Sequence, residues 1–242
     1  MDNEIIYGIR PIIEAIKAGV KIDKIWLLQN KKNQLFKEVE SYASKKKIEL
    51  LFTSNKKLDK LSGKIHQGAL AQIKPFTLID FENLLKKNDK KKNQIYLLLD
   101  GITDVRNFGA IFRSALATDV IGIIVPENNS ASINSDTIKA SAGAIFYIPV
   151  SKVNHLNDAI YELKSRDFKI VGLEEKSSLN IFDEKFNQKT ALILGSEGKG
   201  INKSTLNSVD KKVSIPMEGE INSLNVSVAC GISLYHITRN HS

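Results

Sequence analysis

Cysteine, histidine and long apolar segments are scarce in this chain of 242 residues. The single cysteine, Cys230, excludes an internal disulfide and any zinc site built on several cysteines. The four histidines lack metal-ligand spacing, and we expect no metal. No apolar run approaches the roughly 18 residues of a membrane span, so we expect no membrane partner. The opening segment has acidic residues and no apolar signal-peptide core, which predicts a cytoplasmic protein.

Positive charge is distributed unevenly along the chain. Residues 1–94 hold 20 Lys/Arg and 11 Asp/Glu, a net charge of +9, whereas residues 95–242 hold 15 and 16, a net charge of −1. A basic module joined to a neutral one favours a phosphate-rich partner, because each neutralised phosphate releases counterions. The alternative is a lysine coat that reflects biased base composition. Charge alone does not separate the two.

Apolar runs and helical patterns divide the chain into two α/β modules. We assign residues 1–75 to the first module and residues 76–94 to a linker, since the charged stretch 86–93 has no apolar residue to bury. In residues 95–242, unbroken apolar runs alternate with helical patterns, which is typical of a parallel sheet. The predicted strands are Lys24–Leu28, Ile48–Phe52, Ala69–Ile73, Ile95–Leu99, Ile121–Val125, Lys169–Leu173, Ala191–Leu194 and Val213–Ile215. The predicted helices are Pro11–Ala18, Gln34–Ala43, Phe108–Ala117, His155–Arg166 and Leu224–Ile237.

Open parallel sheets bind ligands where loops leave the carboxyl ends of their strands. We therefore expect the site just after Leu99, Leu194 and Ile215, and unusual residues follow all three positions. After Leu99, Asn107 is a plausible helix N-cap. Arg113 lies off the predicted buried stripe of that helix, either as a surface charge or as a functional group. The stripe consists of Phe108, Ile111, Phe112, Ala115 and Leu116.

The second and third segments also combine polar residues with a strand end. After Leu194 the sequence G-S-E-G-K-G holds Glu197 between glycines, where a carboxylate can bind an amine or hydroxyl or simply face solvent. In the third segment Ser223, Asn225 and Ser227 open an apolar helix, and capping explains one of them more readily than three. Cys230 lies in the apolar part of that helix and is expected to be core, not a nucleophile.

The three segments read D-x-x-N-x-G-A-x-x-R-S-A, L-G-x-E-G-x-G and I-P-M-x-G-x-x-x-S-L-N-V-S-V-A. In this order they resemble the SpoU/TrmH family of RNA ribose 2′-O-methyltransferases, over residues 96–239. Residues 6–75 resemble that family's L30e-like substrate-binding domain, through Y-G-I-R-P at Tyr7–Pro11 and H-Q-G at His66–Gly68. Two positions depart from the family pattern: Val105 stands where proline is usual, and Asp119 where glycine is common.

The resemblance implies an α/β protein whose C-terminal SPOUT domain has a parallel sheet and a trefoil knot. It implies S-adenosylmethionine as cofactor, bound by Gly195, Ile215 and Leu224, and a homodimer with sites at the subunit interface. It gives Arg113 the catalytic role, with Asn107, Glu197 and Asn225 positioning it and the substrate. The implied partner is ribosomal RNA, most closely a guanosine of 23S rRNA, with tRNA as the alternative.

Arginine side chains stay protonated in proteins and are poor general bases. We therefore expect Arg113 to clamp a substrate phosphate and stabilise the developing alkoxide, with Arg113 itself, Glu197 or water as proton acceptor. Two rival functional classes compete with this interpretation. A dinucleotide-binding oxidoreductase would need a G-x-G-x-x-G turn, which the sequence lacks. A non-catalytic RNA-binding protein would be favoured by loss of Asn107, Arg113 or Glu197, and all three are present.

Overall fold

A computed structural model describes residues 3–31 and 33–239. Positions 1, 2, 32 and 240–242, which the predicted domain bounds include, lie outside the described residues. Contacts divide the chain into two compact units. The first unit runs to Thr77 and adds the segment Ile133–Tyr147, and the second contains Leu78–Ser132 and the chain from Ile148 onward. The two units therefore do not follow a single boundary in the sequence.

The first unit is built on a four-stranded mixed sheet. Its elements up to Thr77 are β1 (Glu4–Tyr7), α1 (Ile9–Lys17), β2 (Ile22–Leu28), α2 (Gln34–Lys46), β3 (Glu49–Thr53), α3 (Asn55–Ser62) and β4 (Ala69–Ile73). The strand order is β1-β4-β2-β3, with β2 and β3 parallel and the other pairs antiparallel. Helix α1 buries one apolar face, because its isoleucines recur at helical spacing. The sequence patterns missed β1 and α3.

The segment Ile133–Tyr147 belongs to the first unit, although the sequence places it inside the predicted domain 95–242. The Tyr7 hydroxyl donates a hydrogen bond to Asp136, and Lys64 forms an ion pair with the same carboxylate at 2.9 Å. The Tyr147 hydroxyl donates to Glu14 Oε2 at 2.7 Å. These polar contacts are long-range in sequence, so hydrophobic periodicity carries no signal for them.

The second unit has a six-stranded, all-parallel sheet. The elements after Thr77 are α4 (Phe81–Asn88), β5 (Gln94–Asp100), α5 (Val105–Ala117), β6 (Gly122–Pro126), α6 (Ser135–Ala140, in the first unit), β7 (Val150–Val153), α7 (Leu156–Ser165), β8 (Lys169–Leu173), β9 (Lys189–Gly195), α8 (Lys203–Leu206), β10 (Lys211–Val213) and α9 (Val226–Arg239). The strand order is β10-β8-β9-β5-β6-β7, which confirms the predicted α/β class. Strand β10 begins two residues before the predicted Val213–Ile215 and overlaps it at Val213, and β7 was not predicted.

The stretch 76–94, predicted to be a linker, carries helix α4 instead. Leu84 and Leu85 are buried in the core of the second unit, in one cluster with Tyr96. Asn88, in the middle of the charged run, is also buried, and its Nδ2 donates to the Leu84 and Ile121 carbonyls at 3.1 and 3.3 Å. The buried Asn88 side chain thus anchors the C-terminal end of α4, although its neighbours Lys86 and Lys87 are charged. Within the described ranges, no helix has the length and apolar content needed to cross a bilayer.

Candidate active site

A cleft of about 520 Å³ opens at the carboxyl ends of β8 and β9 and beside the segment that follows β10. Ligand pockets in proteins usually measure about 300–1,000 Å³. Gly195, Ile215 and Leu224, the three residues expected to hold a cofactor, all line it. The full lining is Leu173, Glu174, Glu175, Lys176, Leu194, Gly195, Ser196, Glu197, Gly198, Lys199, Gly200, Ile215, Met217, Asn222, Ser223, Leu224, Asn225, Val226 and Ala229.

The glycine-rich loop after β9 turns tightly back on itself. Ser196 and Gly200 exchange two backbone hydrogen bonds, of 3.1 and 2.9 Å. A Cβ at Gly195 would lie 2.0 Å from the carbonyl carbon of Gly200 and 2.1 Å from the Ile201 nitrogen. Position 195 therefore has room for glycine alone, because the chain's own backbone fills the space. Gly198 has a φ of +81°, in the region that L-residues rarely adopt.

A buried carboxylate holds the far end of this loop. Asp100, at the end of β5, is almost fully buried and accepts hydrogen bonds from the Asn202 backbone N–H, at 2.9 Å, and from its side-chain amide. Both bonds satisfy a charge that burial would otherwise penalise. Asp100 thus fixes the point at which the loop returns. Asp100 is not among the predicted site residues, and its partner lies 102 positions away in the sequence.

Three predicted site residues meet at the cleft. Glu197 Oε1 accepts hydrogen bonds from Asn107 Nδ2 at 2.9 Å and from Asn225 Nδ2 at 2.7 Å. Asn225 Nδ2 also lies 2.8 Å from Asn107 Oδ1, which accepts a hydrogen bond from it. Asn225 Oδ1 accepts from the Ser227 N–H and hydroxyl at 3.0 and 2.6 Å, so it caps α9. One carboxylate oxygen is therefore held by two amides from separate helices.

The start of α5 differs from the prediction. The N-cap is Asp104, whose Oδ1 accepts from the Asn107 N–H at 2.8 Å, and not Asn107. Asn107 sits in the first turn, which frees its amide to reach Glu197. Leu116, predicted to be buried, is 41% exposed. The other four residues of the predicted stripe are buried.

The two departures from the family pattern fit the local backbone. Val105 is the first residue of α5, a position that favours proline because its N–H has no helical partner. Asp119 follows the helix with a φ of +52°, which explains why glycine is common there. Aspartate is among the residues that tolerate this left-handed conformation. Neither substitution touches the polar cluster of Asn107, Glu197 and Asn225.

Neither Arg113 nor Cys230 lines the cleft. Arg113 is exposed on α5, does not line the cleft, and forms no hydrogen bond or ion pair with another described residue. The structure thus brings Asn107, Glu197 and Asn225 together but leaves Arg113 outside this group. Cys230 is fully buried, and burial raises the pKa of its thiol, as expected for a core residue.

The sequence patterns missed one side of the cleft. Residues Glu174–Lys176, which follow β8, line it together with Leu173. The bounds of β8 were predicted correctly. The loop after β8 has no glycine or unusual polar residue, so nothing in the sequence marked it as part of a site. The parallel order β8-β9 alone places the two strand ends side by side.

Two family models match the chain. The SpoU rRNA Methylase family matches residues 94–235, and a model described as RNA 2′-O ribose methyltransferase substrate binding matches residues 5–78. A Staphylococcus aureus protein named as a TrmH family tRNA/rRNA methyltransferase is 35% identical over 99% of this chain and 97% of its own length. A Bacillus subtilis protein named in the same way is 32% identical over 99% of this chain and 97% of its own length.

Solved structures share the fold. The SpoU methyltransferase AviRb of Streptomyces viridochromogenes, in complex with the cofactor AdoMet, superposes with a TM-score of 0.80 at 24% identity, over 98% of this chain and 90% of that one. The A. aeolicus TrmH/SpoU tRNA modifying enzyme gives a TM-score of 0.55 at 31% identity, over 66% of this chain and 83% of that one. The match to AviRb therefore extends over both units, and the match to the tRNA enzyme over two thirds of the chain.

Proposed function

The chain belongs to the SpoU family of RNA 2′-O-ribose methyltransferases, and we propose that it methylates the ribose of a guanosine in 23S rRNA. The observation that carries the proposal is the polar cluster of Asn107, Glu197 and Asn225 on the rim of a cleft lined by Gly195, Ile215 and Leu224. The family description names rRNA, while the relatives' names include tRNA, which makes tRNA the second candidate substrate.

The cleft fits S-adenosylmethionine in size and chemistry. It offers apolar side chains from Ile215 and Leu224 beside backbone of the tight loop at Gly195, where an added Cβ has no space. Such a mixture suits a ligand with both a flat heteroaromatic base and charged groups. When bound, S-adenosylmethionine supplies an electrophilic methyl group on a sulfonium. The chain's own residues must align the ribose hydroxyl and take up its proton.

Glu197 is our candidate for the proton acceptor. Its Oε1 is held by Asn107 and Asn225, whereas no hydrogen bond from a described residue engages Oε2. The two amides orient the carboxylate, and Oε2 stays available to the 2′-hydroxyl. Arg113 would bind the neighbouring phosphate and stabilise the developing alkoxide. Water or Arg113 as the acceptor are the competing assignments.

A homodimer with sites at the subunit interface and a C-terminal trefoil knot belong to the same proposal. The exposure of Arg113 outside the cleft of its own chain supports a site that a second copy completes. Complementation tests this directly: Arg113→Ala and Glu197→Ala should each be inactive, and a mixture of the two should regain part of the activity. A mixture that stays inactive would place Arg113 and Glu197 in the same subunit's site.

The substrate is tested on RNA isolated from cells that lack this protein. We expect the purified protein and S-adenosylmethionine to add one 2′-O-methylguanosine to 23S rRNA and none to tRNA, as mapped by nucleotide-resolution 2′-O-methyl detection. Arg113→Ala should lower turnover at least about a hundredfold. Arg106→Ala, on the same helix, serves as control for loss of charge. A mark only in tRNA would replace the rRNA proposal, and RNA binding without transfer would favour a non-catalytic protein.

A further inference from the structure

A second cavity, of about 430 Å³, lies wholly within the first unit. It brings together the two sequence signatures at Tyr7–Pro11 and His66–Gly68, whose role the cleft does not explain. Its lining is Ile9, Arg10, Pro11, Lys31, Asn33, Leu35, Phe36, Gln67, Lys139 and Ala142. Lys139 comes from the segment Ile133–Tyr147, far along the chain, so the cavity is complete only in the folded unit.

Every charged residue in the cavity lining is basic. Arg10, Lys31 and Lys139 line the cavity, and none of the described lining residues is acidic. Arg10 is exposed and forms no ion pair with another described residue. Asp136, the one carboxylate on α6, is already engaged by Tyr7 and Lys64. Burial lowers the pKa of Lys139, which shows a partly desolvated ammonium that an anion would stabilise.

The cavity wall is held in a strained backbone conformation. Gln67 and Ala142 both line the cavity with positive φ values, of 57° and 52°, although neither is glycine. Such strain persists only where the surroundings fix it, and it concentrates at ligand sites. Buried His66 supports the turn, since its Nδ1 accepts from the Gly68 N–H at 2.9 Å while Nε2 contacts Asp59 at 2.9 Å.

Gln67 also joins the two lysines. Lys31 Nζ donates to the Gln67 carbonyl at 3.0 Å, and Lys139 Nζ donates to the Gln67 side-chain oxygen. Lys31 also lies over the Phe36 ring, with Nζ 5.3 Å from the centroid. Both ammonium groups are thus positioned before any ligand arrives, which lowers the entropy cost of binding one.

We propose that this cavity binds a phosphodiester group of the RNA substrate, at a nucleotide other than the one that is methylated. The inference rests on the proposed function, since it takes the RNA as the ligand. The exposed Arg10 would contact the phosphate together with Lys31 and Lys139. A charge-assisted contact of this kind fixes where the RNA lies on the first unit and carries no base specificity.

Asn33→Asp in the full-length chain is the sharpest test. Asn33 caps α2 by accepting from the Phe36 N–H at 3.0 Å, and aspartate caps as well as asparagine. The variant keeps the fold while it places a carboxylate in the cavity. Ser54→Asp is the matched control, because it adds the same charge at the N-cap of α3, outside the cavity. Arg10→Gln removes an exposed cation from the cavity lining.

Binding of an unmodified 23S rRNA transcript is measured at several salt concentrations. We expect Asn33→Asp and Arg10→Gln to weaken affinity about tenfold and to lower the log–log salt slope by roughly 0.7–0.9, the share of one phosphate. Ser54→Asp should change affinity less than about twofold. Unfolding temperature and S-adenosylmethionine affinity should stay at the wild-type values for all three.

Equal effects of Asn33→Asp and Ser54→Asp, or wild-type binding by Arg10→Gln, would overturn the assignment. Inorganic phosphate that binds the cavity without competing with RNA would also overturn it, in favour of a small anion. Failure of the proposed function is separate: it appears as absent methyl transfer by the wild-type protein, even where RNA binding depends on Asn33 and Arg10 as expected.

Discussion

Replacing Gly195 by alanine tests how tightly the loop after β9 defines the cleft. The added Cβ would meet the backbone of Gly200 and Ile201 at 2.0–2.1 Å, whereas real Cβ contacts stay beyond 3.0 Å. The returning strand of the loop must therefore move by about 1 Å, since backbone cannot rotate aside as a side chain can. The Ser196–Gly200 hydrogen bonds span this region.

The magnitude follows from those two hydrogen bonds. Each contributes about 0.5–1.5 kcal/mol, so their loss destabilises the protein by about 1–3 kcal/mol. For a chain of this size that corresponds to a fall in unfolding temperature of about 2–12 °C. Residues 195–200 all line the cleft. We therefore expect S-adenosylmethionine affinity, measured by calorimetry below the unfolding temperature, to fall at least about tenfold, or 1.4 kcal/mol.

Alanine substitutions at two other glycines distinguish the effect of steric clash from that of backbone strain. Gly198→Ala meets no atom within 4 Å but keeps a φ of +81°, so it should cost about 1–2 kcal/mol from strain alone. Gly219→Ala meets neither obstacle and should behave as wild type. If Gly195→Ala matched Gly219→Ala in both stability and donor affinity, the loop backbone would tolerate a Cβ at position 195, contrary to the geometry described.

Three further predictions concern the fold and its charges. Leu84→Ala should lower the free energy of unfolding by about 2–5 kcal/mol in urea titrations, since it leaves a cavity in the core, and wild-type stability would restore the linker interpretation of α4. The pKa of Asp136 is lowered by hydrogen bonds from Tyr7 and Lys64, so its stabilisation is present above the unfolded pKa of about 4 and lost as pH falls through the folded value. Asp136→Asn should therefore reduce the loss of thermal stability on acidification, and an unchanged pH profile would contradict this. Cys230 should not react with a thiol reagent until the protein unfolds, and rapid labelling of the native protein would show that α9 opens.

The parallel sheet could be predicted because strands that are buried on both faces appear in the sequence as unbroken apolar runs. Lys169–Leu173 agrees residue for residue with β8. Strands β1 and β7 were missed, since each has only four residues and its pairing depends on strands remote in sequence. Helix α4 was missed for a different reason: two leucines and one buried asparagine anchor it, and the lysines around them dominate its composition.

The candidate site was predictable where topology dictates it. Gly195, Ile215 and Leu224 lie near one another because parallel strands bring their carboxyl ends to one edge. The pairing of Asn107 and Asn225 on one oxygen of Glu197 could not be derived, since it depends on the orientation of α5 and α9. The position of Arg113 outside the cleft has the same origin, because periodicity fixes the face of a helix but not what that face meets.

The chain passes between the two units at Thr77, Ser132 and Ile148. A single proteolytic nick at any one of these crossings leaves the units covalently joined through the other two. The same division of the chain limits recombination between relatives. Exchanging only the first 77 residues would separate Tyr7 and Lys64 from Asp136, their partner in the retained segment. A functional exchange of the first unit must therefore carry residues 133–147 with it, so that two distant stretches of sequence are inherited as one.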